Sequence, residues 1–191
     1  MGNRMPFVIA AMVQENLRGI SVLGSLVARE VRQTLGSDLV NQIEGALRIG
    51  WIDTSVDRSV FAAIAEHTGA EGVGLVMQRT IRAQMDRPLF RPMLELATHV
   101  HMLKLEPVLS LTCKCFNLVH RNNGTLSFDR RATGYELLLT DAEPSTAADS
   151  TYMLAFAIAF QTAIRIAKPG ATVSVASTDA ARRNVRFTAA I

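Results

Sequence analysis

Tyr152 to Phe160 is nine apolar residues without a break, and a pair of strand-like segments lies on each side of it. A helix made from such a run has no wet face and must be covered on nearly every side. The flanking segments supply one cover. Val173/Val175 and Val185/Phe187/Ala189 alternate with Ser174, Arg186 and Thr188, so each strand has one apolar and one polar face. Thr125 to Phe128 and Gly134 to Thr140 read as the earlier hairpin. The other cover must come from the N-terminal part. The expected fold class is α+β: an N-terminal helical subdomain packed on a C-terminal four-stranded antiparallel sheet, built as hairpin–helix–hairpin. One domain over 1–191 is expected, with 1–120 helical and 121–191 forming the two hairpins around the buried helix. A chain of 191 residues that is 49% hydrophobic and 19% charged can bury a sizeable single core and is not disordered.

The first half carries a helical period. Leu17, Ile20, Leu23/Gly24, Val27 and Val31 recur at three- and four-residue steps, with Gly36 as a stop. Ser37-Asp38 caps a second helix through Leu47. Gly50-Trp51-Ile52-Asp53 reads as a short extended link. A third helix opens at Ser55 or Asp57, turns Val60, Phe61 and Ile64 inward and ends near His67-Thr68-Gly69; a fourth spans Glu71 to Gln84. Pro88 and Pro92 bracket a turn, and the apolar segment Met93 to Val119 is expected to break or kink at Pro107, because a proline inside a helix removes a hydrogen bond and clashes with the preceding turn. Asn122-Asn123-Gly124 is a turn signal, Asp141 to Ser150 a loop and helix cap, and Pro169-Gly170 ends the buried helix near Ala167.

The net charge of +3 is too small to indicate nucleic acid. Residues 151–191 nevertheless carry Arg165, Lys168, Arg182, Arg183 and Arg186 against Asp179 alone, the pattern of a solvated hairpin edge guarded by charge. Cys113 and Cys115 would point about 200° apart on a helix and cannot pair with each other, which fits a reducing cytoplasm. Phe7 to Val13 is too short an apolar run for a signal peptide, and the 152–167 run, interrupted by Gln161 and Arg165, is too short to span a bilayer.

Motifs for catalysis are missing. No Gly-x-Ser-x-Gly elbow, phosphate loop or dinucleotide fingerprint occurs, and Gly69, Gly72 and Gly74 join two helices, the wrong context for a dinucleotide. Asp53 and Asp57 sit at a helix start, where the helix dipole accounts for them. His99, Glu106, Cys113 and His120 recur every seven residues, but that step rises about 10.5 Å along a helix, too far for neighbours to share one zinc. His99 and His101 diverge for the same geometric reason, so no metal site is expected. Met102, Leu103, Phe116, Met153, Phe156 and Phe160 would converge if the helices over 93–119 and 150–168 pack together. They suit an apolar ligand pocket or partner groove, and equally a plain core.

The helix–hairpin–helix–hairpin order, together with Trp51-Ile52-Asp53 leading into the helix Ser59 to His67, resembles an uncharacterised domain family abundant in myxobacteria. More distantly it resembles the superfamily joining haem-NO-binding (H-NOX) domains, vinyl-reductase-type small-molecule-binding domains and TRAPP trafficking subunits. The N-terminal effector-binding domain of AraC-type regulators gives a similar sketch, without the helix-turn-helix region of those proteins. The resemblance implies a helical subdomain on a four-stranded antiparallel sheet with any ligand between them. H-NOX domains hold haem with a proximal His and a Tyr-x-Ser-x-Arg motif, whereas the tyrosines here open Tyr135-Glu136-Leu137-Leu138-Leu139 and Tyr152-Met153-Leu154-Ala155-Phe156. The expected function is a non-enzymatic cytoplasmic sensor or adaptor domain that binds an apolar small molecule or a protein partner and forms a homodimer through Met85, Met93 and Met102. No cofactor is specified. The alternatives are a haem- or other cofactor-dependent gas sensor and the effector-binding fragment of a transcription regulator.

Overall fold

The structure, a computed structural model, describes residues 5–86 and 105–191. The Pro88/Pro92 turn, the 93–104 part of the long apolar segment, and with them Met93, His99, His101, Met102 and Leu103, lie outside the described residues.

Strand β1 (Phe7–Ile9) runs directly into helix α1 (Ala10–Gly19), a 3-10 turn (Ile20–Leu23) and helix α2 (Ser25–Leu35). The apolar stripe from Leu17 to Val31 is therefore shared by three pieces. Gly24, at φ 88°, cannot continue a helix and divides them. Gly36 joins α2 to α3 (Ser37–Gly45), and β2 (Trp51–Asp53) leads into the long α4 (Thr54–Met85). The two helices expected from Asp57 to Gln84 are halves of α4, bent at Gly69, whose φ 63° and ψ −159° lie where glycine alone sits at little cost.

Trp51 to Asp53 is a strand rather than a link. It pairs antiparallel with β1, Ile52 opposite Val8, and β3 (His120–Arg121) pairs on the other side of β1, His120 opposite Val8, giving a sheet of order β2-β1-β3. Strands this short show no two-residue period in sequence. The Arg121 guanidinium reaches across to stand 4.5 Å from the Trp51 ring centre.

Helix α5 (Leu105–Val119) has Pro107 among its first described residues, and the part of the segment before Leu105, on which the expected break or kink depends, lies outside the described residues. Strands β4 (Thr125–Arg131) and β5 (Gly134–Thr140) form the first hairpin. A short helix α6 (Pro144–Ala148), capped by Glu143, occupies the expected loop. Helix α7 (Ser150–Ile164) follows at once and stops three residues short of Ala167. Its cap is Asp149, whose side chain accepts from the Tyr152 amide at 3.0 Å.

Strands β6 (Thr172–Asp179) and β7 (Asn184–Ala190) complete an antiparallel sheet of order β4-β5-β7-β6. Val185, Phe187 and Ala189 of β7 are fully buried, as their alternation requires. Val175 of β6 stands opposite buried Phe187 and so keeps the face its alternation gives it, but on this edge strand it is 36% exposed; the register shifts only after it, toward Ser177. The arginines here are engaged: Arg183 donates to the carbonyls of Ala142 and Asp141, Arg182 pairs with Asp179, and Arg186 lies 3.7 Å from Glu136 on the neighbouring strand.

Helix α7 lies between α4 and the four-stranded sheet. Tyr152, Met153, Ala155, Phe156, Ala157, Phe160 and Ile164 are buried, and Leu154, Ile158 and Ala159 are partly buried against the same core. The larger of these side chains contribute about 1.5–3 kcal/mol each when fully buried. Among the described residues no helix is long and apolar enough to cross a membrane.

Candidate functional site

Helix α1 buries polar residues as well as apolar ones, because α3 and α4 both pack on it. Gln14 donates to the carbonyls of Ile43 and Ala46 at the end of α3, at 3.0 and 2.7 Å. Asn16, two residues on, donates from Nδ2 to Asp57 Oδ1 at 2.8 Å. The Tyr152 hydroxyl at the start of α7 donates to Asp57 Oδ2, also at 2.8 Å. Asn16, Asp57 and Tyr152 are each no more than 3% exposed, so a carboxyl, a phenol and an amide meet inside the molecule where α1, α4 and α7 converge.

Burial pushes the Asp57 carboxyl up to about 6, against the opposing pull of the Asn16 and Tyr152 hydrogen bonds. The Tyr152 hydroxyl is held well above its ordinary value, first by burial and then by Asp57. Arg58, the next residue along α4, turns away, its Nε 2.9 Å from Asp149 Oδ2 and its Nη1 donating to Ser145. The helix-dipole reading therefore suits Asp53, which caps α4 through the Ser55 amide, and not Asp57. Asp57 was visible in sequence all the same: with Val60, Phe61 and Ile64 it completes an i, i+3, i+4, i+7 face, and a carboxylate on an inward stripe is the signal.

From Tyr152 a column of rings runs along α7. Tyr152 packs on Phe61 and Phe156 with centres 5.9 and 4.5 Å apart, and Phe160 reaches Phe187 of the sheet at 5.2 Å. Phe116 of α5 closes onto Phe156 and Phe160 at 5.2 and 6.0 Å. Of the residues expected to face a ligand, the structure thus brings Phe116, Phe156 and Phe160 together. Met153 is buried on the same helix, and Met102 and Leu103 lie outside the described residues. His120 stacks on Phe116 at 4.2 Å, and its Nδ1 is 3.1 Å from the Phe116 carbonyl. A carbonyl only accepts, so Nδ1 carries the proton, and burial pushes this imidazole down to about 4.

The seven-residue stripe is dispersed. Glu106 accepts from the Tyr135 hydroxyl, Cys113 is buried in the core and His120 belongs to a strand. Among the described residues no group of three or more His, Cys, Asp or Glu is placed to hold a metal ion. Burial pushes the Cys113 thiol up to about 11 and raises that of Cys115, the opposite of what a nucleophile needs.

No family model and no curated protein matches the chain. Solved structures do. A structure from a study of haem distortion in the H-NOX family superposes with a TM-score of 0.60 at 13% identity, over 95% of this chain and 92% of that one. The chain has the H-NOX fold. A point mutant of the T. tengcongensis H-NOX gives a TM-score of 0.59 at 16% identity, over 95% and 94%. A structure from work on haem redox potential and protein-induced porphyrin distortion gives 0.53 at 13%, over 93% and 95%.

The described residues of this H-NOX fold do not fit a haem. Both tyrosine hydroxyls are committed elsewhere, Tyr135 to Glu106 on the sheet surface and Tyr152 to buried Asp57, so neither heads a tyrosine–serine–arginine clamp. The buried polar group between the layers is itself an acid, where an anionic porphyrin needs cations and donors.

Proposed function

We propose that this chain is a non-enzymatic sensor domain that uses the H-NOX fold without haem and takes an apolar small molecule against the aromatic layer between α5 and α7. The observation that carries this reading is the convergence of Phe116, Phe156 and Phe160 at one place between the helical part and the sheet, beside buried Met153. Rings and a thioether recognise shape and apolar area and ask for no charge, which suits a neutral hydrophobic ligand. The raised thiols and the lowered imidazole supply neither nucleophile nor general base near neutrality, which supports a binding role over a catalytic one.

Native mass spectrometry and an absorption spectrum of the purified chain test the proposal together. The expected result is a retained apolar compound, lost in Phe156→Ala, with no Soret band. A stoichiometric Soret band would overturn it in favour of haem-dependent gas sensing. A chain that holds no small molecule and titrates none from a panel of hydrophobic compounds would overturn it in favour of a protein adaptor.

A further inference from the structure

Asp57 is a buried carboxyl with no cation paired to it among the described residues. Its hydrogen-bond partners are an amide on α1 and a phenol on α7. The charged groups that stand near it along these elements are occupied elsewhere. On α1, Arg18 pairs with Glu15 at 3.5 Å. On α4, Asp53 caps its own helix and Arg58 pairs with Asp149. On α6 and α7, Glu143 accepts from Ser145 and the Thr146 amide, and Asp149 holds the Tyr152 amide. Two further oxygens, Asn16 Oδ1 and Thr54 Oγ1, are buried without a partner, and Thr54 stands one turn before Asp57 on α4. The Thr54 hydroxyl can donate as well as accept, so of these two only Asn16 Oδ1 is an acceptor left without a donor.

We infer that Asp57 is a proton-operated latch between α7 and the helical half: protonated, it is a neutral member of the network; ionised, it leaves a buried charge with no cation beside it at the α1–α4–α7 junction and loosens α7. The contact joins residues 95 positions apart in the chain, so its strength bears directly on how firmly the hairpin–helix–hairpin half is held. Burial carries the carboxyl from 3.8 to about 6, which puts the change just below neutrality. Once both closed and open forms are ionised, the closed form is weakened by about a hundredfold relative to acid conditions. His120, pushed down from 6.5 to about 4 and packed on Phe156 of α7, has the opposite pH dependence between those values, so the latch is read in a His120→Phe background.

Carbon-detected NMR of the intact chain follows the Asp57 carboxyl directly, and amide hydrogen exchange, corrected for the intrinsic pH dependence, follows the opening of α7. The expected result is a carboxyl midpoint near 6 and, in His120→Phe, an opening equilibrium for α7 that rises by up to about a hundredfold from pH 4 to pH 7.5. In His120→Phe combined with Asp57→Asn the opening equilibrium stays flat across this range. A midpoint near 4 in the native protein overturns the latch even if the double variant fails to fold, and so does a pH-dependent opening that persists in it. Tyr152→Phe, which removes one donor to the carboxylate, is expected to move the midpoint higher; an unmoved midpoint would overturn the coupling of the carboxyl to α7.

Discussion

Arg58 Nε and Asp149 Oδ2 lie 2.9 Å apart, which ties the first turns of α4 to the cap of α7 across 91 residues of sequence. Asp149 has two tasks, since its other oxygen accepts from the Tyr152 amide. Asp149→Ala removes cap and ion pair together and is expected to lower stability by about 1–3 kcal/mol; Asp149→Asn keeps the cap and should lose about 1 kcal/mol or less, because the pair is partly exposed. Urea denaturation of both variants checks the order. Equal losses would show that the ion pair carries the whole effect.

His120 and Asp57 oppose each other in acid. A histidine whose folded value is lowered to about 4 contributes stability that is present above 6.5 and lost as pH falls toward 4. A carboxyl raised to about 6 contributes stability that is present below 3.8 and lost as pH rises toward 6. Each amounts to roughly 3 kcal/mol at its limit, so the native chain should be nearly indifferent to pH between 4 and 6. His120→Phe should leave stability falling as pH rises through this window, and Asp57→Asn should leave it rising. Thermal melts at half-unit steps read both slopes; parallel curves for the two variants would contradict the assignment.

Phe156 touches Tyr152, Phe116, Phe160 and His120. Phe156→Ala should cost about 3–5 kcal/mol, and Phe156→Asp should yield no soluble folded protein, since an unpaired buried carboxylate adds several kcal/mol against a total of about 5–15. Soluble expression and a melting curve check this. An Asp variant melting near the native temperature would place α7 at the surface.

At Gly69 the backbone lies where a side chain is strained, although nothing stands within 4 Å of the position a Cβ would take. Gly69→Ala should therefore cost about 1–3 kcal/mol through the backbone alone. Gly170→Ala, equally open but without a positive φ, should be close to neutral. Similar melting temperatures for the two variants would mean that the bend in α4 straightens without penalty.

The α+β class was legible because Tyr152 to Phe160 has no polar interruption and because Val185, Phe187 and Ala189 alternate cleanly. The bend at Gly69 was legible as a helix boundary, since glycine punctuates both. The small sheet was not: Phe7 to Ile9, Trp51 to Asp53 and His120-Arg121 are too short to carry a period, and their pairing is a long-range event that no local window contains. Alternation gives Val175 its face but not its burial, because β6 is the edge of the sheet and no local pattern says which strand lies at an edge. Asp57 is hidden by its place at a helix start, which supplies a sufficient local explanation unless its apolar companions on the same face are read with it.

Phe7 pairs with Arg121, so the first strand of the chain must wait for residues that leave the ribosome long after it. Closing so large a loop is entropically slow, and the contacts that reward it come late. During synthesis, α1 to α4 therefore emerge with one edge of β1 still bare, a template for any passing strand until His120-Arg121 arrives. Trp51, the chain's single tryptophan, sits under the Arg121 guanidinium that seals this edge, and its fluorescence is a clock for the moment of closure.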